Sequence, residues 1–276
     1  MKKANILLNT LVAGCLLSAV SAQASVMITY GGKNTNVAGG DQSGLTSNFV
    51  PVSNTGLPAG YFIETFDAAT QMAGFGAGFT GFNVLNKSSG CAVNTMAANS
   101  GVTVTTSSLN ALGVQKGSTG GVAAAPAGDS TCFGFTPAPG GPSTSSVTID
   151  YTNLLSAFPG VEINYLGFYF GSVDTYNQIE FFNSKGLVRK ITGTELLNAN
   201  NGSSGNQQQE GSNLYVNLFF TGESFTKFTF TTFGIAAEFD NIVAGTTNRA
   251  VSAPAGLAVL GLGLIGLAWR RRARKA

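Results

Sequence analysis

Two short acidic runs stand out in a chain with few charges: Glu64-Thr65-Phe66-Asp67 near an early β-like stretch, and Glu238-Phe239-Asp240-Asn241 in the last one. Alternation along an extended strand puts Glu238 and Asp240 on one face and Phe239 on the other. Carboxylate oxygens are hard ligands, so Glu64, Asp67, Glu238 and Asp240 would suit a structural Ca²⁺ if the first and last strands lie together. A solvated polar face is the plainer alternative. The same acids admit a paired-carboxylate glycosidase, but no spacing singles out an acid and a nucleophile. A further candidate is Asp174-Thr175-Tyr176-Asn177, just after Gly171-Ser172. Asp174, Tyr176 and Asn177 would either line a sugar-contacting edge or close a turn through backbone bonds. Tyr61, Tyr169, Tyr176 and Tyr215 offer stacking faces, although aromatics at strand spacing more often fill a core or a sheet face.

The chain contains no histidine. That removes Ser-His-Asp and Cys-His catalysis and the zinc sites that need imidazole. No catalytic residue is assigned, and the protein is expected to be no enzyme. Thr103/Thr105 and Thr229/Thr231 are two isolated Thr-x-Thr instances, too few for a regular ice-binding array. Gly-x-Gly runs at 74–78 and 261–263 lack the strand–loop–helix setting of a nucleotide site.

Of the 276 residues, 43% are hydrophobic and 10% charged, with 37 glycines. This is too apolar for a disordered chain and too sparsely charged for a typical cytosolic enzyme. The net charge of +2 hides an asymmetry. Lys2, Lys3, Arg270, Arg271, Arg272, Arg274 and Lys275 are terminal, whereas eight basic and all thirteen acidic residues lie between 25 and 251, at a net of −5. The dense cationic cluster abuts an apolar segment, so no nucleic-acid partner is expected.

The stretch between the termini carries β-branched and aromatic runs of strand length, punctuated by Gly, Asn, Ser and Pro. Strands are expected at 61–66, 102–106, 145–150, 163–170, 178–182, 187–192, 214–220, 226–232 and 236–243. Asn183-Ser184-Lys185-Gly186 reads as a hairpin turn. On the 214–220 strand, Leu214, Val216, Leu218 and Phe220 share one face. Short helices are expected at Asn153–Phe158 and at Thr194–Ala199, the latter capped by Thr194. Residues 117–143 read as a long surface excursion, and 31–58 as an irregular segment draped over the surface. No internal repeat is evident, which argues against a propeller or solenoid. The expected fold is all-β, a single β-sandwich or jelly-roll-like domain over 25–250.

The ends read as address labels. Met1-Lys2-Lys3, an apolar stretch from Ile6 to Val20, and Ala22-Gln23-Ala24 make a signal peptide over 1–24, cleaved by signal peptidase between Ala24 and Ser25. Val12-Ala13-Gly14-Cys15 is a lipobox-like alternative, but the chain stays apolar after Cys15. Removal of the signal leaves Cys91 and Cys132, an even count that in an exported chain favours one disulfide over two free thiols. At the other end, Ala255–Trp269 has no charge and is short for a membrane span. The Arg270, Arg271, Arg272 cluster after it acts as a basic stop that would stay cytoplasmic. This predicts a C-terminal transmembrane helix in the inner membrane.

Ser252-Ala253-Pro254-Ala255-Gly256-Leu257, the Leu/Gly-rich span and the arginine cluster together resemble the PEP-CTERM sorting signal, here over 251–276. Ser252 and Ala253 stand where that motif has its first Pro and Glu, and Pro254 is retained. The resemblance implies an exosortase-type transpeptidase as partner, and delivery to the cell surface or extracellular matrix of a Gram-negative bacterium. The stretches 166–183 (LGFYFGSVDTYNQIEFFN) and 236–244 (AAEFDNIVA) are in turn similar to exosortase-dependent surface proteins. In those, a Tyr-Trp-Gly-Ser-x-Asp-x-Tyr-Asn stretch precedes a closing Phe-Glu-x-Asp-Asn strand. Phe170 replaces the tryptophan; Gly171, Ser172, Asp174, Tyr176 and Asn177 remain. The expected function is therefore an exported, non-enzymatic surface or matrix protein linked to exopolysaccharide. A carbohydrate-binding jelly roll that takes polysaccharide as partner is the alternative, and a polysaccharide hydrolase the third.

Overall fold

The computed structural model describes residues 25–67, 86–93 and 101–248. The expected signal peptide, the sorting tail and the 74–78 glycine run lie outside these residues, apart from Ser25, which opens the first strand. Among the described residues no helix is long and apolar enough to cross a membrane.

The strands are β1 (Ser25–Tyr30), β2 (Lys33–Asn34), β3 (Leu45–Thr46), β4 (Tyr61–Glu64), β5 (Asn86–Lys87), β6 (Thr103–Thr106), β7 (Gly113–Lys116) and β8 (Cys132–Thr136). They continue with β9 (Ser145–Asp150), β10 (Val161–Gly171), β11 (Asn177–Asn183), β12 (Gly186–Thr192), β13 (Leu214–Thr221), β14 (Lys227–Thr232) and β15 (Ala237–Asn248). Helices α1 (Thr152–Ser156) and α2 (Gly193–Asn200) are short. An eight-stranded sheet runs β1-β13-β10-β15-β8-β7-β5, with β4 also paired to β15; a five-stranded sheet runs β12-β11-β14-β9-β6. Pairing is antiparallel except for β5 with β7. The expected all-β sandwich is observed.

Period-two patterning builds the interface between the sheets. Leu214, Val216, Leu218 and Phe220 all enter the main core, as their spacing predicts, together with Leu166, Phe168 and Phe170 of β10. From the facing sheet come Ile179, Phe181, Phe228 and Phe230. Rings lock the two layers: Phe230 stacks on Phe239 with centroids 4.3 Å apart and meets Phe168 edge-on at 5.3 Å. Each such pair adds roughly 0.5–1.5 kcal/mol beyond the area it buries.

The outer face of the large sheet is covered as well. Residues 31–58 do drape across it, carrying the β2–β3 hairpin. The cover is fastened by polar groups: Ser47 Oγ lies 2.6 Å from the Tyr165 hydroxyl, which donates to Asn217 Oδ1, and Asn217 Nδ2 donates to the Gly31 carbonyl. Gly167 makes room for this crossing, since a Cβ there would stand 2.2 Å from the Tyr165 hydroxyl.

Three sequence expectations change. Residues 117–143 are not wholly a surface excursion, because Cys132–Thr136 forms the fully buried strand β8. Its Cys-Phe-Gly-Phe-Thr run is buried on both faces, so it shows no polar alternation to read. The helix after Gly193 is capped by Thr192, whose hydroxyl accepts from Glu195 N at 3.2 Å, and not by Thr194. Arg189 on β12 pairs with Glu195 and holds this first turn to the sheet. The helix expected at Asn153–Phe158 is the single turn Thr152–Ser156.

Candidate functional site

β10 leaves the sheet at Gly171, and the chain turns through Ser172–Tyr176 into β11. The amide of Asn177 closes this turn on the Asp174 carbonyl at 3.0 Å. Gly193 packs against the same carbonyl, where a Cβ would lie 1.8 Å from the oxygen. The turn, the 118–124 loop and residues 235–236 enclose a cleft of about 250 Å³. Asp174, Tyr176, Gln207, Ser118 and Thr119 line it, with Ser172 and Glu238 at its back. Ligand clefts usually span roughly 300–1,000 Å³, so this one is small and has room for no more than a small polar group.

Asp174 accepts from Ser204 Oγ at 2.8 Å and thereby faces the cleft in a fixed orientation. The half-buried Tyr176 donates its hydroxyl to the Ile235 carbonyl at 2.6 Å. Ile235 is exposed and, with Val122, gives the cleft an apolar rim. Glu238 is buried; Ala124 N donates to its Oε1 at 3.0 Å and Ser172 Oγ to its Oε2 at 2.9 Å. Burial outweighs these bonds and pushes the carboxyl up to about 8, so it is mostly protonated at neutral pH.

The expected sugar-contact residues therefore part company. Asp174 and Tyr176 line the cleft, whereas Asn177 is buried and bonded to Thr232 Oγ1 and the Ala236 carbonyl. Tyr169 and Tyr215 are buried and offer no stacking face. Tyr61 stacks on Phe49 at the outer face of the large sheet. The two Thr-x-Thr pairs are not isolated, for Thr105, Thr148 and Thr229 lie in register across β6, β9 and β14.

The four acids expected to share a calcium ion do not meet. On β4, Tyr61 and Ile63 face outward and Phe62 inward, so alternation turns Glu64 inward. There it accepts from Phe66 N at 2.7 Å and lies near the buried Tyr151. Glu238 belongs to the cleft. Asp67 and Asp240 instead join Asp41 and Asp129, which sequence reading did not single out. All four act on one another's charge. A bulge brings Asp240 into this group: Asn241 adopts φ 46°, so Asp240 and Asn241 both point outward between the inward Phe239 and Ile242. Asn241 Nδ2 donates to Ser43 Oγ and the Leu45 carbonyl, and Asn54 Nδ2 donates to Asn241 Oδ1. Ser43 bridges to Asp129. Asp41 accepts from Ser43 Oγ and Asn54 Nδ2, and Asp67 accepts from Cys132 N. The signal for Asp41 and Asp129 was their isolation, each a lone acid in a Gly/Ser-rich segment of a charge-poor chain.

Cys91 and Cys132 form the expected disulfide, with Cα atoms 5.6 Å apart, and tie segment 86–93 to the start of β8.

No protein-family model and no curated protein matches the chain. Among solved structures, the chain is similar to a mutant of the family 29 carbohydrate-binding module CBM29-2. The similarity spans 70% of this chain and 96% of that one, at 13% identity and a TM-score of 0.28.

Proposed function

We propose that the protein is an exported, non-catalytic surface or matrix protein whose jelly-roll-like sandwich contacts polysaccharide through the cleft at Asp174 and Tyr176. The make-up of that cleft carries the reading. A carboxylate, a side-chain amide and two hydroxyls converge beside a tyrosine ring and an apolar rim, the groups that bond sugar hydroxyls and cover sugar faces. Hydrolysis fits less well. A glycosidase needs two carboxyl groups free to reach the scissile bond, and Glu238 is buried with both oxygens committed. Export accords with the disulfide. The Ser252-Ala253-Pro254 tail, its apolar span and its basic stop supply a route through the inner membrane to an exosortase-type enzyme.

A glycan array followed by affinity electrophoresis tests the binding. Wild type is expected to be retarded by an acidic or neutral exopolysaccharide, with retardation lost in Tyr176→Ala and reduced in Gln207→Ala, while both variants still unfold cooperatively well above the assay temperature. Absence of binding across the array, or binding indifferent to both changes, overturns the cleft reading. Polysaccharide hydrolysis that disappears in Glu238→Gln overturns the non-catalytic one. Fractionation of cells with and without the exosortase gene tests delivery, and identical distribution in both rejects that route.

A further inference from the structure

The outer face of the large sheet holds acids that the cleft does not use. Asp240 has no exposed surface, and among the described residues neither of its carboxylate oxygens has a well-formed hydrogen bond, although the backbone amide of Asn241 lies near. Beside it, Asp129 accepts at Oδ1 from Thr131 N and Thr131 Oγ1, while its Oδ2 is buried and without a partner. A carboxylate oxygen removed from water loses its hydration with nothing to replace it, and a like-charged neighbour makes ionisation harder still. Asp41 and Asp67 add further negative charge around the pair, so two bare carboxylates are disfavoured here. A proton shared between the two acids would satisfy two of these three oxygens and leave the third without a partner. A cation between them answers both.

We propose that Asp129 and Asp240 are ligands of a hard divalent cation of the calcium type, which pins residues 41–54 and the 127–131 loop to β15. The cover supports this placement, because Ser43 touches both sides: it bridges to Asp129 and its hydroxyl accepts from Asn241, the neighbour of Asp240. Among the described residues no group of three or more His, Cys, Asp or Glu side chains is placed to hold a metal ion. The ion therefore takes two carboxylates and completes its shell with backbone or water oxygens. Ca²⁺ accepts such a mixed oxygen set in irregular geometry, whereas zinc favours nitrogen and sulfur. Asp41, held by Ser43 and Asn54, adds negative charge to the site. The proposal is independent of the cleft and survives if polysaccharide binding fails.

Thermal unfolding of the purified protein, stripped over a chelating resin, is compared at neutral pH in EDTA, CaCl₂ and MgCl₂, with calorimetric titration of CaCl₂. CaCl₂ is expected to raise the midpoint saturably by several degrees, with one ion taken up per chain and a smaller response to MgCl₂. Asp240→Asn is expected to abolish uptake, and Asp129→Asn to weaken it by roughly tenfold or more. Both variants should remain folded in EDTA, since the amide removes a buried acid without changing the shape of the site. Asp174→Asn is the control and should leave uptake intact. Identical midpoints in EDTA and CaCl₂ with no stoichiometric uptake overturn the proposal, as does uptake that persists in both aspartate variants. If Asp240→Asn does not fold, Asp129→Asn with unchanged calcium affinity overturns it alone.

Discussion

Two layers of this molecule are equally hidden from water and built on opposite principles. Between the sheets lie rings and aliphatic side chains, with Phe168, Phe170 and Phe230 in mutual contact and Phe239 stacked on Phe230. On the outer face of the large sheet, beneath residues 31–58, lie Ser43, Asn54, Asp240 and Asn241, joined or surrounded by directional bonds. Hydrophobic contacts are non-directional and tolerate exchange at constant volume, so the inner layer supplies cohesion. Buried polar groups demand particular partners at particular angles, so the outer layer fixes positions. The carboxylate group lies within the outer layer, and Glu238 at the back of the cleft is carried by the same strand, β15, as Asp240. Burial alone would not have told the layers apart.

The largest test of this contrast removes a ring from the inner layer. Phe239→Ala should lower unfolding free energy by about 3–5 kcal/mol in urea titration; a loss below about 1 kcal/mol would mean that this stack is not the source of cohesion. Next in size, replacing Cys91 and Cys132 together by serine should cost about 2–5 kcal/mol, the chain-entropy expectation for a loop of this length being about 4. That loss should appear in both layers alike, since the bond links β8 to segment 86–93. A few kcal/mol should separate wild type from Glu238→Gln at alkaline pH, measured in EDTA. The folded carboxyl titrates at about 8 against an ordinary 4.5. Its stabilising contribution is therefore complete below about 4.5 and is lost as pH rises through about 8. Glutamine should flatten that slope, and parallel pH curves would contradict the assignment. The smallest effect belongs to Asn241→Gly, which keeps the positive φ but removes the bonds to Ser43, Leu45 and Asn54. It should cost about 1–3 kcal/mol and speed hydrogen exchange in residues 43–54 while leaving β14 unaffected. Uniform loss of protection would erase the distinction between layers.

The inner layer could be read in advance because it repeats. Leu214, Val216, Leu218 and Phe220 alternate with Tyr215, Asn217 and Phe219, and β11–β12 announce their turn by Asn183-Ser184-Lys185-Gly186. β8 escaped because it is apolar on both sides and sits in a glycine-rich stretch, and β7 because Gly113–Lys116 is too short to show a period. In the candidate site, Asp174 and Tyr176 were legible from their residue types beside a Gly-Ser turn. Ser118, Thr119 and Gln207 were not, since nothing local says that distant loops converge. Asp240 and Asp67 were singled out together, yet Glu64 and Glu238 were grouped with them and Asp41 and Asp129 were missed. Strict alternation cannot foresee a bulge, and Asn241 shifts the register there, while Glu64 faces the opposite side of the sheet from Asp240.

β15 is the last strand described and also the middle of the larger sheet, pairing with β10 on one side and with β4 and β8 on the other. Without its twelve residues, the sheet falls into three unconnected pieces, β1-β13-β10, β8-β7-β5 and β4 alone, and every pairing β15 makes joins segments remote in sequence. Contacts of that kind form late and slowly. The order in which the chain is made is thus the reverse of the order in which the architecture depends on its parts. The large sheet therefore cannot close until Ala237–Asn248 is in place, however much of each piece has formed before it.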